Sequence, residues 1–219
     1  MFVGHYAPVF ALRAVRQSPG LAAGFVAVQL VDIGFFSLSY FGIEKWAANP
    51  SLTGFTPVDL YFMPYTHSLI GSALWAAGAG LIVAMLSAEG RRLANGLIIA
   101  ALVFSHWLLD LVVHRHDLAL GLDGVGEKYG FALWDHPAIV APMEIGLLLA
   151  GFALYMRGTQ ARSVLGKVVP WLVLTALIAG QGVNWFTPPA PDVATFSGMG
   201  LAAYFGFAFL ALMLDRTRA

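Results

Sequence analysis

The chain has 219 residues, with 12 Lys+Arg against 12 Asp+Glu and no formal net charge. Hydrophobic residues make up 59% and charged residues 11%; a soluble domain carries about a quarter charged residues, so the main solvent of this chain is lipid. Neutrality excludes the basic footprint of a nucleic-acid partner. The absence of Cys excludes disulfides and thiolate metal sites, leaving His, Asp, Glu and backbone to hold any ion.

The N-terminal "FVGHYAPVFALRAV" is apolar up to Arg13 but too short to span. It reads either as a half-helix that starts inside the protein, tolerated at depth only when buried, or as an amphipathic surface helix. Interruption by Arg13 and Arg16, with no small-residue cleavage pattern, argues against a cleavable signal peptide. Six stretches then reach the roughly 20 apolar residues a span needs: 20–43, 64–87, 93–114, 138–157, 166–187 and 196–215. "RGTQARSVLGK" is a plain polar connector between the fourth and fifth, and the prolines of "TPPAPDVAT" stop helix propagation between the fifth and sixth. The expected fold is therefore all-α: a polytopic membrane helical bundle of six transmembrane helices plus a short N-terminal half-helix, in one domain over 1–219.

Basic residues give an orientation. Arg13, Arg16, Arg91, Arg92, Arg157, Arg162, Lys167, Arg216 and Arg218 fall on one side, and Lys45, Arg115 and Lys128 on the other. Nine against three fits cytoplasmic termini in an inner (plasma) membrane by the positive-inside rule. The outward loops 44–63 and 115–137 are the long ones and carry Trp46, Tyr61, Tyr129 and Trp134, amphipathic aromatics expected at an interface.

Ionisable groups inside spans cost about 2.5–3.5 kcal/mol on insertion scales, so each needs a reason. "SHWLLDLVVHRHD" holds His106, Asp110 and His114 at four-residue steps, one stripe of a helix, with His116 and Asp117 beyond. Asp32, His67 and Glu144 lie in three other spans. At a rise of about 1.5 Å per residue, all of these lie within about 16 Å of the outer ends of their spans. His5 joins them only if its half-helix begins at mid-membrane. Imidazole and carboxylate together suit a divalent metal, zinc above all, and a ligating His needs a partner for its second ring nitrogen. The competing reading of His106 with Asp110 is a helix-bridging ion pair. Glu144 alone reads first as a structural group, Gln181 and Asn184 as interhelical glue, His116 as interfacial, and Asp135 and His136 as a cap for the fourth span.

Other membrane-enzyme signatures are missing. There is no H-E-x-x-H helix, no Arg-Pro and no Gly-rich phosphate loop after a strand. "TFSGMG" has Thr195 where an intramembrane serine-protease motif needs Gly.

"GHYAP", "VDIGF", "YTHSL" and "SHWLLD" occur in this order within 1–120. That arrangement resembles a family of bacterial inner-membrane proteins described as membrane-bound metal-dependent hydrolases. The resemblance implies a metal-binding set of His5, Asp32, His67, His106 and Asp110. The family commonly carries a second aspartate after the position of Asp32, where this chain has Gly34 and Phe35.

Together these readings predict a membrane-embedded metal-dependent hydrolase acting on an amphiphilic or lipid-like ester, amide or phosphoester. His67, His106 and Asp110 would ligate, Asp32 and His5 would ligate or support, and His114 or Glu144 would move the proton. The alternative is a non-catalytic membrane subunit or assembly factor binding a protein partner or pigment. The small-residue run "GSALWAAGAG" in the second span suits close packing within the protein or against such a partner. A small transporter would need a path open to both sides, which polar groups confined to one half of the bilayer do not provide.

Overall fold

The computed structural model of the chain describes every residue except Gln17, Thr53, Phe55 and Pro191; within the proline-rich connector, Pro191 thus lies outside the described residues. A 3-10 turn, Val3–His5, leads into α1 (Tyr6–Arg13), followed by α2 (Leu21–Val28) and α3 (Leu30–Tyr40). Two short strands, β1 (Lys45–Ala48) and β2 (Val58–Phe62), form an antiparallel hairpin. Then come α4 (Leu69–Leu86), α5 (Arg92–Val113), a second small hairpin of β3 (Leu118–Ala119) and β4 (Lys128–Tyr129), α6 (Pro137–Gly158), α7 (Leu165–Phe186) and α8 (Val193–Thr217). The helices α4 to α8 are each long and apolar enough to cross a membrane. This is a multi-pass helical membrane protein, as the hydropathy predicts.

The expected first span departs from a straight helix. It is two helices, α2 and α3, bent by 53° at Gln29. Gln29 is fully buried, and its Nε2 donates to the Phe2 carbonyl at 3.2 Å. The bend also frees the Val28 carbonyl, which takes a side-chain donor from α5. A side chain inserted into the helical ladder is a recognised cause of such a kink; neither Pro nor Gly stands there to announce it.

The N-terminal segment is the half-helix rather than a surface helix. Val3, His5, Tyr6 and Phe10 are fully buried, and α1 lies against α6 where Gly151 and Gly158 admit its backbone. The connections α1–α2, α4–α5 and α6–α7 share one end of the bundle with the C-terminus. Arg13 reaches Asp215, Asn95 bonds Ser18 and Ser87, and Arg218 holds the Thr159 and Gly166 carbonyls. Asp215 also accepts from the Leu21 and Ala22 N–H groups that open α2. The nine basic residues of the sequence count belong to this end.

The hairpins and the α7–α8 connection form the opposite end. Asp192 caps α8 there by accepting from the Thr195 N–H at 2.8 Å, a bond that holds its carboxyl below the ordinary range. Asp135 and His136 do not cap α6: Asp135 pairs with Arg115 at 2.8 Å and His136 makes no side-chain cap bond, so Pro137 alone marks the start. One face of the small-residue run of α4 packs against α5, while Ala73, Ala77 and Gly78 are exposed. A Cβ on Gly80 would stand 2.8 Å from the Gly96 carbonyl oxygen of α5, and one on Gly96 would stand 2.8 Å from that of Gly80.

Candidate metal centre

Four elements converge just beneath the hairpin end. The bend delivers Asp32 from the first turn of α3, and α5 delivers His106, Asp110 and, at its C-cap, His114. His67 stands in the turn before α4, where Ser68 caps the helix and the Trp107 indole donates to the His67 carbonyl. His5 arrives from the buried N-terminal turn. His5, His67, His106, Asp110 and His114 are each no more than 3% exposed. All five residues of the expected metal set are thereby brought together, although they come from four separate parts of the chain.

The tautomers follow from what each ring's Nδ1 meets. His106 Nδ1 is 2.7 Å from the Val28 carbonyl, which can only accept, so Nδ1 carries a proton and Nε2 is the atom left facing the aspartates. The Thr66 hydroxyl donates to Glu44 Oε2 at 2.6 Å and so accepts from His67 Nδ1 at 2.8 Å. His114 Nδ1 donates to Asp117 Oδ1 at 2.8 Å. Three imidazoles therefore turn Nε2 towards two aspartates, His67 Nε2 within hydrogen-bond distance of Asp32 Oδ1, and each has its other nitrogen fixed as a ligating His requires.

The distances test whether an ion fits. Asp32 Oδ1 is 3.2 Å from His67 Nε2 and 3.5 Å from His106 Nε2. Asp110 Oδ2 is 3.7 Å from His67 Nε2 and 3.0 Å from His106 Nε2. Ligands bonded at about 2.0–2.1 Å to a tetrahedral ion would lie about 3.3–3.4 Å apart. These four edges bracket that value. Asp110 Oδ2 and His106 Nε2 are also buried with no hydrogen-bond partner, a costly arrangement unless a cation stands between them. The residues fit a divalent ion.

The remaining residues support or adjoin this set. His5 stacks on His106 with ring centroids 3.8 Å apart, and its Nε2 donates to Asp110 Oδ1 at 3.1 Å. It thus lies against the carboxylate oxygen that faces away from the other three histidines. The Met1 amine also donates to Asp110 Oδ1, at 2.7 Å. His114 Nε2 stands 3.6 Å from Asp110 Oδ2, with its ring 4.1 Å from that of Trp134. Gly130 permits this: with φ at +150° its backbone lies where any Cβ would strike the Arg115 carbonyl, and the loop it opens bonds to the His114 carbonyl through Ala132. Glu144 has a structural partner, accepting from the Phe2 N–H at 3.0 Å, and Gln181 accepts from that of Val3 at 3.1 Å, whereas Asn184 is exposed.

Two contributors escaped the sequence reading. Tyr204 of α8 donates to Asp32 Oδ2 at 2.6 Å. A tyrosine hydroxyl at mid-span needs a polar partner, and that was its only signal. Glu44 is 1% exposed and accepts from the Tyr65 and Thr66 N–H groups as well as the Thr66 hydroxyl; burial pushes its carboxyl up. Nothing in "FGIEKW" marks it.

A cavity of about 350 Å³ opens onto this cluster. Asp32, His67, Asp110, His114 and Glu144 line it, together with Phe35, Phe36, Trp134, Phe196 and Phe207 and the facing ends of α7 and α8. No family model, curated protein or solved structure matches the chain.

Proposed function

We propose that this chain is a membrane-embedded, zinc-dependent hydrolase of an amphiphilic, lipid-like substrate, resident in a bacterial inner membrane with both termini cytoplasmic. The observation that carries the reading is the pairing of two devices in one cavity. Asp32, His67 and His106 offer ligand atoms within 4.8 Å of one another, as do His67, Asp110 and His114, and His114 is braced by Asp117. A set of nitrogen and oxygen ligands without thiolate suits zinc among the common ions.

A divalent ion held by Asp32, His67, His106 and Asp110 would supply a Lewis acid that polarises the scissile group and lowers the pKa of a water molecule. Around it, His114 Nε2 faces the cavity and accepts the proton of the attacking water. Asp117 fixes the tautomer of His114 and stabilises the imidazolium that forms. Tyr204 and His5 hold the outer oxygens of Asp32 and Asp110, which keeps the inner oxygens aimed at the ion. Glu144 fixes the N-terminal turn against the cavity wall. The aromatic walls take the apolar part of the substrate and keep bulk water from the reacting end.

Metal analysis and turnover on the same samples test this. Protein purified in detergent without chelators should hold about one equivalent of zinc and hydrolyse amphiphilic esters. His114→Gln should keep its zinc and lose about 10²–10⁴-fold in turnover, the usual weight of a positioned base. Wild type without bound metal removes the reading, and a His114 variant with full turnover removes the role given to that residue.

A further inference from the structure

We infer that the substrate is an uncharged acyl amphiphile, a carboxylic ester or amide, and that phosphoesters are excluded by the charge of the cavity. This rests on the hydrolase reading above and narrows its substrate class.

The argument is a count of charges around the reacting position. Among the described residues the lining carries three carboxylates, Asp32, Asp110 and Glu144, and not one Lys or Arg side chain. Its cation other than histidine is the Met1 amine, which lies 2.7 Å from Asp110. Arg115, at the rim, is engaged by Asp135 at 2.8 Å and by the Thr56 carbonyl at 3.1 Å. One divalent ion and the Met1 ammonium would be matched by the three carboxylates Asp32, Asp110 and Glu144, so the loaded centre has no positive surplus. A phosphodiester or phosphomonoester would bring one or two negative charges into a chamber walled by Phe35, Phe36, Trp134 and Phe207. In low dielectric such charges need a partner, and phosphate sites supply Arg or Lys forks for that purpose.

An acyl carbonyl needs no such partner. It enters uncharged, and negative charge develops on its oxygen only as the reaction proceeds. The water oxygen bonds to the acyl carbon while His114 Nε2 takes one water proton. The carbon–oxygen or carbon–nitrogen bond to the leaving group then breaks, and His114 returns the proton to the leaving atom. The products are a carboxylic acid and an alcohol or amine. Ionised, the acid becomes the anion that this cavity repels, which favours its departure.

Two pairs of eight-carbon probes test the inference on protein of measured zinc content. Turnover compares 4-nitrophenyl octanoate with octyl 4-nitrophenyl phosphate, each relative to its uncatalysed rate. Binding compares octanamide with octyl phosphate by thermal shift in detergent. The octanoate should react with at least about tenfold preference, and octanamide should stabilise the zinc-loaded protein more than octyl phosphate does. Asn184→Arg, which adds a cation to the lining outside the metal set, should narrow both preferences. Faster phosphodiester turnover, or stronger stabilisation by octyl phosphate, overturns the substrate class and leaves the hydrolase reading standing. Zinc-loaded protein that cleaves neither probe counts against the hydrolase reading, and the thermal-shift pair still decides the charge preference. Protein without zinc overturns both.

Discussion

His106 Nε2 and Asp110 Oδ2 stand 3.0 Å apart, buried, and no hydrogen bond joins them. His106 Nδ1 donates to the Val28 carbonyl, so what faces Asp110 is Nε2, carrying either a second ring proton or an ion. A helix-bridging ion pair at i and i+4 would aim a proton into that gap. An ion between the two atoms satisfies both.

The difference is measurable in detergent as thermal stability of His106→Gln, Asp110→Asn and the double variant, with and without zinc. An ion pair predicts rescue in the double variant, because neither partner is then left charged and alone in low dielectric. A metal site predicts a double variant no better than either single one, and added zinc should stabilise wild type only. A double variant as stable as wild type, indifferent to zinc, would return the pair to a structural role.

The orientation rests on the same bundle. Nine basic residues belong to the end that holds the C-terminus, with Arg218 tied to Thr159 and Gly166, and three to the hairpin end. A reporter fused at the C-terminus should score cytoplasmic, and one inserted in the 115–137 loop should score external. The reverse pattern would open the cavity to the cytoplasm.

How much of this was legible in the sequence depends on the kind of signal. Hydropathy locates the five long apolar helices and the bent pair α2–α3, because a run of some 20 apolar residues is a one-dimensional property. His106, Asp110 and His114 are legible for the same reason, since four-residue steps fix a helical stripe. Asp32 and His67 could be grouped only by depth and by resemblance. The bend at Gln29 was not legible, because the groups that bond there, the Phe2 carbonyl and the His106 ring, come from segments distant in sequence. Tyr204 meets Asp32 across 172 positions, and Glu44 acts through the Thr66 hydroxyl; neither partnership leaves a periodicity to read.

The α4–α5 contact offers a test of packing with an internal control. Ala at position 80 would place its Cβ 2.8 Å from the Gly96 carbonyl oxygen and 3.0 Å from the Ala100 Cβ, both on α5. Gly80→Ala should lower stability by about 1–3 kcal/mol, the usual cost of overpacking. Gly78, two residues earlier on the same helix, meets nothing within 4 Å, so Gly78→Ala should leave the melting temperature unchanged or raise it. Equal effects at the two positions would mean that the helices do not approach as described.

The last prediction reverses a proton without touching a ligand. Glu44 Oε1 accepts from two backbone N–H groups and Oε2 accepts from the Thr66 hydroxyl, whose oxygen in turn accepts from His67 Nδ1. Every donor in this chain points the same way, ending with the lone pair on His67 Nε2. In Glu44→Gln the amide oxygen must stay on the backbone donors, so the amide NH₂ faces Thr66 and donates to it. The Thr66 hydroxyl then turns its proton to His67 Nδ1, and the ring proton moves to Nε2, the atom that should bind the ion. A change of one atom, three groups away, thus sets the wrong tautomer, by the same logic that makes an Asn a poor substitute for an orienting Asp. Zinc affinity, measured by competition with a chromophoric chelator, should fall by about 10–100-fold, the usual cost of losing such a support. Thr66→Val, which removes the relay without reversing it, should lose no more than Glu44→Gln. Wild-type affinity in Glu44→Gln would mean that His67 does not bind the ion through Nε2.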